Sequence, residues 1–270
     1  MRYSLADHFF FSCKQHSEIE EALELFYSAL RSHKDKYGKK HHLIASTNHH
    51  IGMVLLYAER YTDALSYFTE AVKTRQVALG PDHPEVGCSL TKIGMINLAH
   101  GKARKAQDVF LAVLKIFRKS LGYGHIKVAQ TLNNLAVTQF ELQAYSDAMN
   151  TLLQAQEILR RLAISTFTND SAAQSRKKII DFSLIHTLNN IGLIYCKQGK
   201  HEEGLLRFQE ALNIVRAHQS VDEASTVEFI YLAKDIERNT NYTANIVYEY
   251  GGDELKGFLR YLVQGKWFFE

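Results

Sequence analysis

Apolar residues recur along this chain at helical spacing. Ile44, Ile51, Leu55 and Ala58 follow one another at intervals of seven, four and three, which puts them on one face of a helix. A second run, Tyr61, Ala64, Leu65, Phe68, Ala71 and Val72, keeps the same periodicity. The turn between the two falls near Ala58-Glu59-Arg60. Gly80 closes the pair. Pro81-Asp82-His83-Pro84 opens the next, with Pro84 suited to a first helical turn. The pattern predicts a helical hairpin.

The hairpin then repeats. Ala22, Ala64, Ala106 and Ala148 recur every 42 residues, as do Phe26, Phe68 and Phe110, Gly38, Gly80 and Gly122, and His41, His83 and His125. A period in this range means stacked supersecondary units, each burying its apolar face on its neighbours. The second unit runs from Pro84 to Gly122 and the third from Ile126 to about Leu162. The fourth includes Gly192, Gly204 and Phe208. From Ala136 to Gly192 the step is 56 residues, so 14 are inserted. The polar, Ser/Thr-rich stretch at about 163–179 is read as a surface loop holding them. The organisation expected is a degenerate N-terminal helix at 1–16, a repeat array at 17–220 and degenerate capping helices at 221–270. The apolar tail Lys266-Trp267-Phe268-Phe269-Glu270 is expected to pack on the last helix.

Composition narrows the class. The 270 residues are 46% hydrophobic, as in a folded protein, and the only two prolines, Pro81 and Pro84, share one linker, which leaves the periodic stretches free to be helical. A net charge of +3 does not call for nucleic acid. The basic residues Lys102, Arg104, Lys105, Lys115, Arg118 and Lys119 read as a solvated outer face. Three cysteines, Cys13, Cys88 and Cys196, fit free thiols in a reducing compartment, so the expected location is cytoplasmic. No apolar run reaches the roughly 18 residues of a membrane helix. The thirteen histidines include the cluster His41, His42, His49 and His50. It lacks the i, i+4 spacing of a helical metal pair, and no metal is expected. The column His41, His83 and His125 is read instead as bonding the helix ends at each linker. No phosphate loop, G-x-S-x-G, C-x-x-C or dinucleotide fingerprint occurs. Neither enzyme activity nor a cofactor is expected.

Small residues align across the units: Gly52, Gly94, Ala136 and Gly192 in the first helices, then Ala64, Ala106, Ala148 and Gly204 in the second. Large residues flank them, as Ile51, Ile93, Leu135 and Ile191, and as Phe68, Phe110, Leu152 and Phe208. Together with Leu79-Gly80-Pro81-Asp82-His83-Pro84, Thr131-Leu132-Asn133-Asn134-Leu135-Ala136 and Thr187-Leu188-Asn189-Asn190-Ile191-Gly192, this resembles the tetratricopeptide repeat. The 42-residue period is similar to that of kinesin light chains and nephrocystin-3-like proteins. The resemblance covers about residues 17–218. It implies an all-α right-handed superhelical solenoid of antiparallel helix pairs.

The resemblance also implies a binding face. In this repeat class the first helices line the concave side, and the inward positions are counted from the small residue. The peptide-binding candidates are then His50 and Met53, Lys92 and Met95, Gln130, Asn134 and Val137, and His186, Asn190, Leu193 and Lys197. His49, Leu98, Asn133 and Asn189 fall in the same inward set. In the family an Asn two residues before the small residue clasps a peptide backbone, since its amide both donates and accepts. Asn134 and Asn190 occupy that position. His50 and Lys92 replace it in the first two units and suit an acidic peptide. Met53 and Met95 offer adaptable apolar pockets. The implied function is a non-catalytic scaffold or adaptor that binds short linear peptides, acidic and apolar-anchored. The alternative is a self-assembling structural component.

Overall fold

The computed structural model describes residues 16–165, 171–219, 232–241 and 243–244. Among these residues every regular element is an α-helix: α1 His16–Tyr37, α2 His42–Tyr57, α3 Tyr61–Leu79, α4 Pro84–Ala99, α5 Ala103–Leu121, α6 Ile126–Glu141, α7 Tyr145–Ser165, α8 Ser171–Lys197 and α9 His201–Gln219. The chain divides into two compact units, Met1–Ile158 and Leu159–Glu270. The helix expected at 1–16 lies outside the described residues but for its last position. So do most of the capping segment at 221–270 and its aromatic tail. Within that segment, 232–241 is helical.

In unit 1 the hairpins are α2 with α3 and α4 with α5, while α1 packs on α2, α3 on α4 and α5 on α6. The first helices α4 and α6 also touch one another. The hairpin core is set by one close approach. A Cβ placed on Gly52 would stand 2.9 Å from the Phe68 ring, and one on Gly94 would stand 2.6 Å from the Phe110 ring. Only a hydrogen lets the aromatic ring lie against the facing backbone. Phe68 and Phe110 are fully buried there, and burial of one such side chain contributes about 2–3 kcal/mol.

The tight turn between paired helices also follows the register. Glu59, Gly101 and Gln143 all have positive φ, at 59°, 68° and 60°. The same bond closes each turn: Arg60 N–H to Leu55 O at 2.8 Å, Lys102 to Asn97 at 2.8 Å and Ala144 to Gln139 at 2.9 Å. This satisfies carbonyls that the helix end leaves over.

The linkers between hairpins start the first helices, and there the histidine column acts as read. His41, His83 and His125 are the N-caps of α2, α4 and α6, each extended, each accepting a backbone hydrogen bond on its side chain. Pro84 stands in the first turn of α4.

Polar ties join successive hairpins. Thr47, Ser89 and Thr131 sit five residues before the small residue of their helices and are buried. His33 Nδ1 lies 3.1 Å from Thr47 Oγ1. Because that hydroxyl donates to Leu43 O at 2.9 Å, the imidazole donates to it. One period on, Arg75 Nη1 donates to Ser89 Oγ at 2.6 Å and to Glu85 O at 2.8 Å.

In unit 2, α8 pairs with α9, and Gly192 meets the buried ring of Phe208 as in unit 1. The insertion differs from expectation. It is not a loop over 163–179: α7 continues to Ser165, and α8 already begins at Ser171 and runs 27 residues, against 16 for α2. Ala172, Ala173, Gln174, Arg176, Lys177 and Lys178 favour a helix. Ala173 and Ile180, seven apart, are only 2% and 5% exposed and give it a buried stripe. His218, near the end of α9, braces this extension through Asp181 Oδ2 at 2.8 Å. By length and composition Ala172–Lys197 could cross a membrane, but most of it is buried within the fold, as a core helix would be.

Candidate peptide-binding face

The first helices carry the candidate positions. In unit 1 His50 is exposed, Met53, Lys92, Met95, Gln130, Asn134 and Val137 are partly buried, and each keeps some solvent access. The ring of His50 stacks on Phe26 at 5.8 Å and 5°. Its Nδ1 lies 2.7 Å from Ser46 O. A carbonyl only accepts, so Nδ1 carries a proton and donates to it. Met53 packs on the apolar cluster that includes Ile51, Leu55 and Phe68.

Burial holds the Lys92 ammonium below the ordinary lysine range, and the nearby Cys88 thiol opposes this only in part. Among the described residues no carboxylate is paired with it. Lys127 Nζ sits 3.1 Å from Cys88 Sγ and 5.6 Å from the centre of the Phe117 ring. Asn134, between Asn133 and Leu135, presents an amide with no hydrogen-bond partner among the described residues.

Three of the inward positions do not face solvent. Leu98 and Asn133 are buried. His49 turns between helices, with Nδ1 at 3.0 Å from Ser89 Oγ and its ring edge-on to Phe68 at 5.3 Å. Ser89 already accepts from Arg75, so its hydroxyl proton is free to donate to His49. Burial, and then the charges of Arg75, His50 and Lys92, push the His49 pKa down to about 3. Arg75 is itself lowered by burial, against the pull of Glu85, whose carboxylate it meets at 2.9 Å. The sequence reading missed this His49–Ser89–Arg75–Glu85 tie. Its signal was available in the buried hydroxyl column of Thr47, Ser89, Thr131 and Thr187.

In unit 2 His186, Asn190 and Leu193 are partly buried on α8 and Lys197 is exposed. His186 packs edge-on to Phe182 at 4.7 Å. The Asn190 amide, like that of Asn134, has no partner among the described residues. Asn189 instead accepts from Asn239 Nδ2 at 2.9 Å and ties α8 to the 232–241 helix. Burial raises the Cys196 thiol, which lies 3.4 Å from Thr243 Oγ1. Among the described residues no group of three or more His, Cys, Asp or Glu is gathered to hold a metal ion. What the face offers is hydrogen bonding, positive charge and apolar side chains.

Comparisons with known proteins agree with this geometry. A tetratricopeptide repeat model matches residues 13–76, 43–119 and 101–161, and a second one matches 184–218. No curated protein matches in sequence. Among solved structures, the chain is similar to Podosopora anserina kinesin light chain TPR-like repeats, with 17% identity and a TM-score of 0.58 over 76% of this chain and 91% of that one. It is similar to BtubC (BKLC) from P. vanneervenii, with 16% identity and a TM-score of 0.57 over 94% and 92%. It is also similar to a Rap protein complexed with competence and sporulation factor, with 15% identity and a TM-score of 0.52 over 94% and 73%.

Proposed function

The chain belongs to the tetratricopeptide repeat family, whose arrays serve as protein-interaction scaffolds, and on that premise we propose that it is a non-catalytic cytoplasmic adaptor for short acidic, apolar-anchored peptides. The ligand lies along the first-helix face of unit 1, with Asn134 clasping its backbone. Lys92 and His50 attract its acidic side chains, and Met53 and Met95 receive its apolar anchors. Asn190 repeats the clasp on α8.

One observation carries the reading. The Asn134 amide has no partner among the described residues, and no carboxylate is paired with Lys92 among them, the Cys88 thiol alone opposing the effect of burial. Both deficits are repaired by an extended acidic segment. That a neighbour of this fold is described in complex with competence and sporulation factor supports a partner-binding role.

The test is a peptide-display selection on the whole chain, repeated with Asn134→Ala and Asn190→Ala together. Loss of a common set of acidic binders in the double variant, with weaker wild-type binding at high salt, supports the reading. Binders that survive both substitutions overturn it. The second reading, self-assembly, draws on Leu111 and Leu153. They are 49% and 46% exposed at equivalent positions of α5 and α7. Sedimentation equilibrium separates the two: an adaptor of this kind is monomeric without its peptide.

A further inference from the structure

We propose that unit 1 is acid-sensitive by construction: protonation of His41, His83 and His125 uncaps α2, α4 and α6 together and loosens every linker between its hairpins. The geometry is the same three times. Leu43 N–H donates to His41 Nδ1 at 3.3 Å, Glu85 N–H to His83 Nδ1 at 3.2 Å and Lys127 N–H to His125 Nδ1 at 3.1 Å. A backbone N–H can only donate, so each Nδ1 must present a lone pair and the ring proton must sit on Nε2. An imidazolium carries protons on both nitrogens and accepts nothing. It also brings positive charge to the positive end of a helix. Both effects act in the same direction. The usual capping residues, Ser, Thr, Asn and Asp, would not change state between pH 5 and 7, whereas histidine does.

The groups around each cap are known. Tyr37, at the end of α1, stacks on His41 at 4.6 Å, the His42 ring stands at 4.4 Å, and Lys39 and Lys40 precede it. His83 is flanked by Asp82, which is paired with Lys119 of α5, and by Glu85, whose carboxylate is held by Arg75 of α3. His125 has Lys127 ahead of it and Tyr123 behind, with Arg118 of α5 over the Tyr123 ring at 5.3 Å. Burial and then the Lys127 charge place His125 below the ordinary histidine range. A histidine whose folded pKa is depressed gives its full stabilisation above its unfolded value and loses it as pH falls through the folded one. For this cap the loss therefore comes below about pH 6.5.

The experiment is amide hydrogen exchange at single-residue resolution on the whole chain at pH 7.5 and 5.0, corrected for intrinsic rates. Wild type is compared with H41N/H83N/H125N, since Asn caps well and does not titrate. Wild type is expected to lose about fivefold in protection at Leu43, Glu85 and Lys127 on acidification, the equivalent of one ordinary N-cap. The triple variant is expected to keep it. The first amides of α3 and α5, whose N-caps make no side-chain bond, serve as the control and should change alike in both proteins. His49 is present in both and cancels. Equal losses in the two proteins, or none in wild type, overturn the proposal. If the triple variant does not fold, the single substitutions decide, each protecting only its own amide. The ring ¹⁵N shifts of wild type give an independent check: unprotonated Nδ1 at all three caps at pH 7.5 supports the proposal, and a protonated Nδ1 defeats it.

Discussion

Unit 1 ties two hairpins through His49, whose ring burial holds neutral, whereas unit 2 braces its long first helix with a histidine that faces a carboxylate. His49 sits between Ser89 and the charges of Arg75 and Lys92. His218 meets Asp181 at 2.8 Å. The first helices differ as well. In unit 1 α2, α4 and α6 are each 16 residues long and follow a histidine cap. In unit 2 α8 is 27 residues long, and its tie to the next helix is an amide pair, Asn239 to Asn189. The helix-pair core is common to both, since Phe110 over Gly94 and Phe208 over Gly192 are equivalent. What varies is the polar chemistry between pairs. The core fixes the fold, and the ties set how each unit answers to its surroundings.

Four measurements test this contrast, beginning with the core that the units share. Phe110→Ala and Phe208→Ala should each cost about 3–5 kcal/mol. Hydrogen exchange in urea should show each loss concentrated in the unit that carries it. Equal loss of protection in both units would make the division between them energetically empty. Arg75→Met keeps the aliphatic stem but leaves Ser89 and the Glu85 carbonyl short of a donor, and should cost about 2–3 kcal/mol in urea unfolding.

The next effect is pH-dependent. The His49 pKa of about 3 lies below the unfolded value of about 6.5. Its contribution is therefore complete above pH 6.5 and drains away as pH falls toward 3, at about 1.4 kcal/mol per pH unit. Unit 1 should lose about 2 kcal/mol from this residue by pH 5, and His49→Gln should flatten that slope in an acid titration followed by circular dichroism. A slope unchanged by the substitution would show that the ring is not held neutral. The smallest effect belongs to unit 2. Asp181→Asn should cost about 1 kcal/mol, seen as faster exchange at the start of α8 while unit 1 is unaffected.

Much of this was legible in the sequence, because the repeat is written in residue size. A small residue opposite a Phe in one register means a repeated close approach, and it located the pairs α2–α3, α4–α5 and α8–α9. The histidine column was legible for the same reason: a polar residue recurring at a linker has backbone donors waiting for it. The candidate binding face was legible only in part. Register gave the positions that keep solvent access, such as Lys92 and Asn134. It did not reveal that His49 turns inward, because that depends on a hydroxyl 40 residues away. Likewise the Ser/Thr-rich composition around 163–179 hid a helix start that rests on two buried residues, Ala173 and Ile180.

The linkers of unit 1 make its hairpins interchangeable parts. Each first helix starts after a histidine and has the same length, so the segment 84–125 begins just after one such junction and ends on the next. Excising it would join His83 to Ile126 and recreate the same junction, with Arg75 now facing Thr131 where it had faced Ser89. Copying it would lengthen the array by one step in the same way. A chain built like this can gain or lose a hairpin in a single event with its junctions preserved, and so can alter the number of first helices it presents.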